Sequence, residues 1–485
     1  MALNLASPGI LIREVDLTIG RIDGTTGKVG GIVGSFEKGP VGEPTVITGE
    51  NDLFDQFGQP YDTDKQYETW MVASSYLAYG GTLSVIRADD DGLFNAAVGS
   101  GTSVKIKSTE HYQELGYQEN KLATQTVSAR NPGSWANDIR IAIIDGAADQ
   151  ILGIGTTGIS AFSAAISNRA ATIATGAATT VGITTTSITV GQVVQGNFVP
   201  SGTTVTVIGA GEITLSNALT NFESGSSNLD FGSLVFSQSP PVVGSGVEQD
   251  VPANTVVSGV GGTSLLDGKF KGIITEIGTD NVSVKFLSHV SSAGTETTQD
   301  FNSIYKFSGT GTVAITTAGQ TTSFGSTAVT SAKDWFDEQS YDVTTSSVGG
   351  GTTTVTAKWN AIADKPGTSD YAAARGGRFD EVHVVVIDAK GTISGNAGTV
   401  LEKHLNLSKA KDAVFSVGSP SYWRKYLYTN STNIFGLSGS LIGVTTTGYS
   451  SGFTLETDGG WDQDAEGIIF NSCGTKNLVL SGGKN

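Results

Sequence analysis

The chain has 485 residues, with 29 Lys and Arg against 46 Asp and Glu, for a formal net charge of −17. Only 15% of residues are charged and 65 are glycine, which suits short strands and turns better than helical bundles and, at about 100–200 residues per domain, roughly two to four domains. The acidic balance argues against a nucleic-acid coat or a binder of anionic membranes, the single Cys473 against an internal disulfide or a Cys-based zinc site, and the lack of any uncharged apolar run near ~18–20 residues against membrane insertion.

Met1–Pro8 has no basic n-region and no apolar h-region, so no signal peptide is predicted. Residues 8–19 predict an extended strand: Leu11, Val15, Leu17 and Ile19 share a face with Arg13, while Ile10 and Ile12 begin the other, which also carries Glu14. No turn signal pairs this strand with a near neighbour. It is tied either to a distant part of its own sheet or to the sheet edge of another chain. Gly31–Phe36 reads as a buried strand, Lys38–Pro40 as a turn and Val46–Thr48 as a strand end. Residues 49–58 predict a short helix with Leu53, Phe54 and Phe57 on one face and Gly58 as its C-cap. The spacing of Tyr67, Trp70, Met71, Ser74, Leu77 and Ala78 predicts a helix over 64–79, stopped by Gly80-Gly81 and followed by the strand Thr82–Arg87. The face made by Tyr67, Trp70, Met71 and Leu77 is expected to pack on the strands 31–36 and 82–87, making a small α/β layer.

A strand is predicted over Ile139–Ile144, after which the composition changes. No basic residue lies between Arg169 and Lys269, and residues 171–230 hold 13 threonines. Short strands are read at Val193-Val194, Thr203–Ile208, Glu212–Leu215, Lys269–Phe286 and Thr312–Thr316. Residues 146–357, closed by Gly349–Gly351, are therefore a folded β-rich outer insertion and not a disordered linker. Beyond it, Glu381–Ile387 reads as a buried strand, Ala397–Ala413 as an amphipathic helix with Val400, Leu401, His404 and Leu405 inward, and Gly467–Phe470 and Leu478–Leu480 as strands. The expected fold class is an α/β core plus β-rich inserted domains.

Motifs for chemistry are decoys. Gly153-Ile-Gly-Thr-Thr-Gly158 fits G-x-G-x-x-G between a strand and the helix-compatible run Ile159–Ala170. However, eight residues separate Ile144 from Gly153, and no acidic residue follows about 20 positions on to hold a ribose. Gly448-Tyr-Ser-Ser-Gly452 matches G-x-S-x-G without a following helix. His111, His289, His383 and His404 fit no metal-ligand spacing. His383 in its strand reads as a satisfied core residue, Cys473 as a small buried hydrophobe, and Asp89-Asp90-Asp91 as a solvated turn. No catalytic residue, metal or cofactor is expected.

Five elements in order resemble the tail sheath proteins of contractile-tailed bacteriophages: Ser7–Val15, Gly30–Pro40, Leu53–Pro60, the Tyr67–Tyr79 helix with Gly80-Gly81, and Val85–Ala88. Ala129–Asn137, Lys365–Tyr371 and Asp380–Asp388 add to the resemblance. The resemblance implies a multidomain chain with a discontinuous core, its parts an arm strand at 1–22, the first half of the core at 23–90, a discontinuous middle α/β domain at 91–145 and 358–470, the insertion, and the start of a return into the core at 471–485. It also implies a virion protein, assembled in the host cytoplasm, that stacks as rings around the tail tube and contracts to drive the tube through the host envelope. Its implied partners are neighbouring copies of itself, the tail tube protein, and the baseplate and tail terminator proteins, with no direct nucleic acid and no membrane insertion. In that family an arm strand joins a neighbour's sheet, and Ile10, Leu11, Ile12, Arg13, Glu14 and Val15 are the matching segment. The family's second core half and C-terminal arm have no counterpart here, so a shortened chain is expected. The competing reading is a phage or bacterial adhesin with the Thr-rich insertion as receptor-binding domain.

Overall fold

The computed structural model describes residues 28–60, 66–99, 103–117, 125–154, 162–173, 179–196, 199, 203–219, 225–234, 243–259, 262–278, 280–316, 324–348, 351–437, 458–459 and 461–485. The predicted arm at 8–19 and the Gly448–Gly452 motif lie outside them. Two compact units emerge. The first comprises residues 1–137, 432–437 and 480–485, and the second 138–431 and 438–479.

The first unit contains the strands β1 (Val29–Gly34), β2 (Pro44–Ile47) and β3 (Thr82–Arg87) and the helices α1 (Glu50–Phe57) and α2 (Gln66–Ala78). The sheet order is β1-β3-β2, with β1 parallel and β2 antiparallel to β3. Gly58, at φ 80°, ends α1 and donates its N–H to the Phe54 carbonyl at 3.0 Å, as the C-cap reading expected. The core between helices and sheet joins Phe36, Ile47, Leu53, Phe57, Trp70, Ala73, Leu77, Leu83 and Val85. A second small antiparallel sheet places Gln125–Ala129 between Ile434–Gly436 and Ala97–Gly99. The buried Tyr112 stacks on Phe435 at 4.4 Å between ring centres.

The second unit is built almost wholly of antiparallel strands. Gly246–Asp250, Lys269–Ile277, Asn281–Val290, Gln150–Ile154, Phe324–Asp334 and Thr312–Thr316 pair in that cyclic order and close into a six-stranded barrel. Its interior holds Leu152, Val247, Phe270, Ile274, Val282, Val284, Phe286, Val313 and Ile315. Closure leaves no ladder edge to be satisfied by water. Residues 162–234 make a second ring. Six strands run from Val193–Gly196 to Val205–Ile208. The two end strands meet through Val194 N–H to the Thr203 carbonyl and Gly191 N–H to the Val205 carbonyl, both 2.8 Å. The β-rich reading of the insertion therefore matches the architecture. Residues 146–357 and 358–431 fall in one compact unit.

A four-stranded antiparallel sheet carries the rest, in the order Thr399–Ser408, Glu381–Asp388, Ile139–Asp145, Thr475–Val479. Trp335, Phe336, Tyr341 and Trp359 cover Ala142, Ile144, Val385 and Ile387 on one face. One sequence expectation fails here. Ala397–Ala413 is not a helix; its residues Thr399–Ser408 are a strand. The Glu381–Asp388 strand is buried throughout and needs a partner on that edge, and pairing overrides local helical spacing. The described part of the helix-compatible run Ile159–Ala170 falls in the strand Phe162–Ile173. The described residues of 91–145 and 358–470 are mostly strand, with only short helices. The described fold is multidomain and β-rich, and its α/β character is limited to the β1-β3-β2 layer.

Candidate assembly surface

The sheet β1-β3-β2 presents two different faces. Toward the helices point Gly30, Ile32, Gly34, Ile47, Leu83, Val85 and Arg87. A Cβ at Gly30 would lie 2.7 Å from the Tyr76 ring and one at Gly34 2.4 Å from Thr69, so the glycines admit α2 to close approach. The register puts Val29 beside Thr82, Gly31 and Val46 beside Ser84, and Val33 beside Ile86 on the opposite face. Val29, Val33 and Val46 are 77%, 68% and 61% exposed. Among the described residues nothing covers this apolar face, and β1 is an edge strand.

The sequence-predicted packing residues divide. Phe57, Trp70 and Leu77 are buried. The Trp70 indole N–H also donates to the Gly58 carbonyl at 2.9 Å. Phe54, Tyr67 and Met71 are 40%, 54% and 40% exposed and do not belong to the core. The buried stripe runs through Trp70, Ala73 and Leu77, turned away from the predicted one, because the two β1 glycines leave room for Thr69 and Tyr76 at the seam. Outward, α2 still presents Tyr67, Met71, Val72 and, just past its end, Tyr79. A helix apolar on both sides expects partners on both. The arm residues Ile10 to Val15 lie outside the described residues.

Sequence reasoning missed the hub of this unit. Arg87 is buried and donates to the carbonyls of Pro132 at 2.7 Å, Gly39 at 3.1 Å and Glu37 at 3.3 Å. It ties together the Lys38–Pro40 turn, the end of β3 and the Asn131–Trp135 loop. Gly133, at φ 139°, packs backbone against backbone: a Cβ there would meet the Glu37 carbonyl at 2.5 Å. Residues 481–485 dock on the same loop. Asn137 and Gly483 exchange two hydrogen bonds of 3.0 and 2.8 Å, and Asn485 Oδ1 accepts from Ser134 N–H at 3.2 Å. Glu37 accepts from Gln59 N–H at 2.7 Å, and burial raises its carboxyl pKa. An arginine ending an otherwise apolar strand was the available signal.

The second unit holds buried charges around the passage from Asp145 to Asp149. Lys409 Nζ lies 2.7 Å from Asp145, and also donates to the carbonyls of Phe379 and Asn471 at 3.0 and 3.1 Å. Asp145 further accepts from Cys473 N–H at 2.8 Å and Gly474 N–H at 2.9 Å. Although burial opposes it, these donors hold the carboxyl below its ordinary range. Burial, with Asp145 beside it, pushes the Cys473 thiol well above its ordinary pKa, leaving a weak nucleophile. His383 is buried, with Nδ1 accepting from Asn406 N–H at 3.0 Å and Nε2 facing the Asp364 carbonyl at 2.9 Å. Burial lowers its pKa, so it is a neutral core histidine, as read from its strand. Asp89 pairs with Lys105 at 2.8 Å and Lys107 at 2.6 Å. Among the described residues no three His, Cys, Asp or Glu side chains converge as a metal site.

No protein-family model matches the chain. A stretch of 88 residues is 35% identical to the tail sheath protein of Enterobacteria phage T4. A stretch of 90 residues is 39% identical to the tail sheath protein of Vibrio phage KVP40. Each match takes 18% of this chain and spans 13% of the relative's length. Part of this chain is therefore related in sequence to tail sheath proteins.

Proposed function

We propose that the chain is a structural subunit of a contractile phage tail sheath. It polymerises as rings around the tail tube and contracts to drive that tube through the host envelope, without enzymatic chemistry. The sequence similarity to two tail sheath proteins carries the reading. The bare valine face and edge strand of the β1-β3-β2 layer support it: an apolar face of this kind is an interaction site, and an open edge accepts an added strand. In this reading the segment Ile10–Val15 of one subunit joins a neighbour's sheet, and the subunits meet tube, baseplate and tail terminator proteins in the virion. The test places a photo-activated cross-linker at residue 12 in assembled particles. Adducts between subunits are expected. Adducts only within one chain would refute strand exchange, and saturable binding of the isolated chain to host cells without any particle-bound form would favour an adhesin.

A further inference from the structure

Within the second unit, the chain leaves the four-stranded sheet at Asp145 and enters the barrel at Gln150. Five ionisable side chains from four separate stretches meet at this passage. Asp145 holds Lys409. Asp149 is gripped by the Lys365 ammonium and by Phe286 N–H at 2.7 Å. The fifth is Lys285, on the barrel strand Asn281–Val290, buried. Its Nζ donates to the Gly146 carbonyl, in the middle of the passage, and lies 3.7 Å from the centre of the Phe379 ring. Among the described residues no carboxylate pairs with it. With all five groups charged, three ammonium groups face two carboxylates, and the surplus charge is the one on Lys285.

We propose that the 145–150 passage is a proton-operated joint: protonating Lys285 loosens the seam between sheet and barrel, and removing that proton tightens it. The reasoning does not depend on the sheath reading. A neutral amine can sit against one carbonyl at little cost, whereas an ammonium adds a third N–H to satisfy and a buried charge. The groups acting on Lys285 are Asp149 and Asp145, which favour its charge, and Lys409 and Lys365, which oppose it. Burial outweighs them all and brings its pKa down from 10.5 to about 7. The sign follows. Between those values the unfolded chain binds the proton and the folded chain does not, so stability of this unit rises with pH across the window. The passage is closely packed at Gly146, where a Cβ would sit 2.6 Å from the Pro366 carbonyl.

The experiment is hydrogen exchange on the full chain between about pH 7.5 and 9.5, corrected for intrinsic rates, at fixed ionic strength. Peptides spanning 146–154 and 281–290 are followed in the wild type, in Lys285→Met and in Lys269→Met, whose exposed ammonium is paired with Glu248 at 3.4 Å. Protection in the wild type and in Lys269→Met should rise up to ~tenfold per pH unit, and stay level in Lys285→Met. Should Lys285→Met not fold, Lys285→Gln takes its place. A flat wild-type profile, or the same slope with and without Lys285, overturns the proposal.

Discussion

Replacing Trp70 with alanine tests the packing of the α/β layer. Trp70 is 7% exposed among Leu53, Phe57, Leu77 and Val85, and its indole N–H is held by the Gly58 carbonyl. Truncating a large buried aromatic costs about 3–5 kcal/mol through lost burial and the cavity left behind. The orphaned Gly58 carbonyl adds roughly 1 kcal/mol unless water reaches it. The first unit, at roughly 150 residues, should then lose on the order of 10 °C in melting temperature. Scanning calorimetry reads the shift. Tyr67→Ala on the same helix removes a ring that is 54% exposed and should cost no more than about 0.5 kcal/mol. Equal small shifts for Trp70→Ala and Tyr67→Ala would refute the docking of α2. A large shift for both would mean that something covers the outer face of α2 in solution.

Gly133→Ala forces an L-residue into φ 139° and a Cβ onto the Glu37 carbonyl; the backbone strain alone should cost at least ~1–2 kcal/mol, read in the same transition. Asp145→Asn or Lys409→Met leaves one buried charge alone and should cost about 3–5 kcal/mol by urea denaturation, whereas Asp145→Leu with Lys409→Met should recover much of the loss; a worse double variant would contradict the pairing. Excising about residues 158–240, the smaller ring, should leave the six-stranded barrel cooperative by circular dichroism and calorimetry. Excising 150–350 should not, because Gln150–Ile154 is a barrel strand and Trp335, Phe336 and Tyr341 cover the four-stranded sheet. Intact folding after the larger excision would refute that packing.

Local order was legible where short-range chemistry decides it. Gly58, Gly80-Gly81 and the apolar runs around them placed α1, α2 and β3 to within a residue or two. The inward stripe of α2 was not, because that helix is apolar nearly all round. The glycines of β1, distant in sequence, select which side is buried. The strand Thr399–Ser408 was hidden for a related reason. It carries apolar residues at helical spacing, and only bulges against Glu381–Asp388 together with Asn406 at φ 54° fit it to the sheet. Barrel closure joins residues 150–154 to 281–290 and 324–334, pairings that no local pattern encodes. The cluster at Asp145, Asp149, Lys285, Lys365 and Lys409 spans 264 positions and was invisible for the same reason. Lys38–Pro40, Arg87 and Asn131–Trp135 read as separate motifs in the sequence and converge on one buried guanidinium.

Immunogold electron microscopy tests the central claim most directly. Antibodies raised against the purified chain are applied to phage particles encoded by the same genome, before and after contraction is triggered. The sheath account predicts gold along the tail shaft in extended particles, drawn into the shorter, wider shaft once the tail has contracted. Gold confined to fibres, tail tip or head, or particles that carry none of the chain, would contradict it.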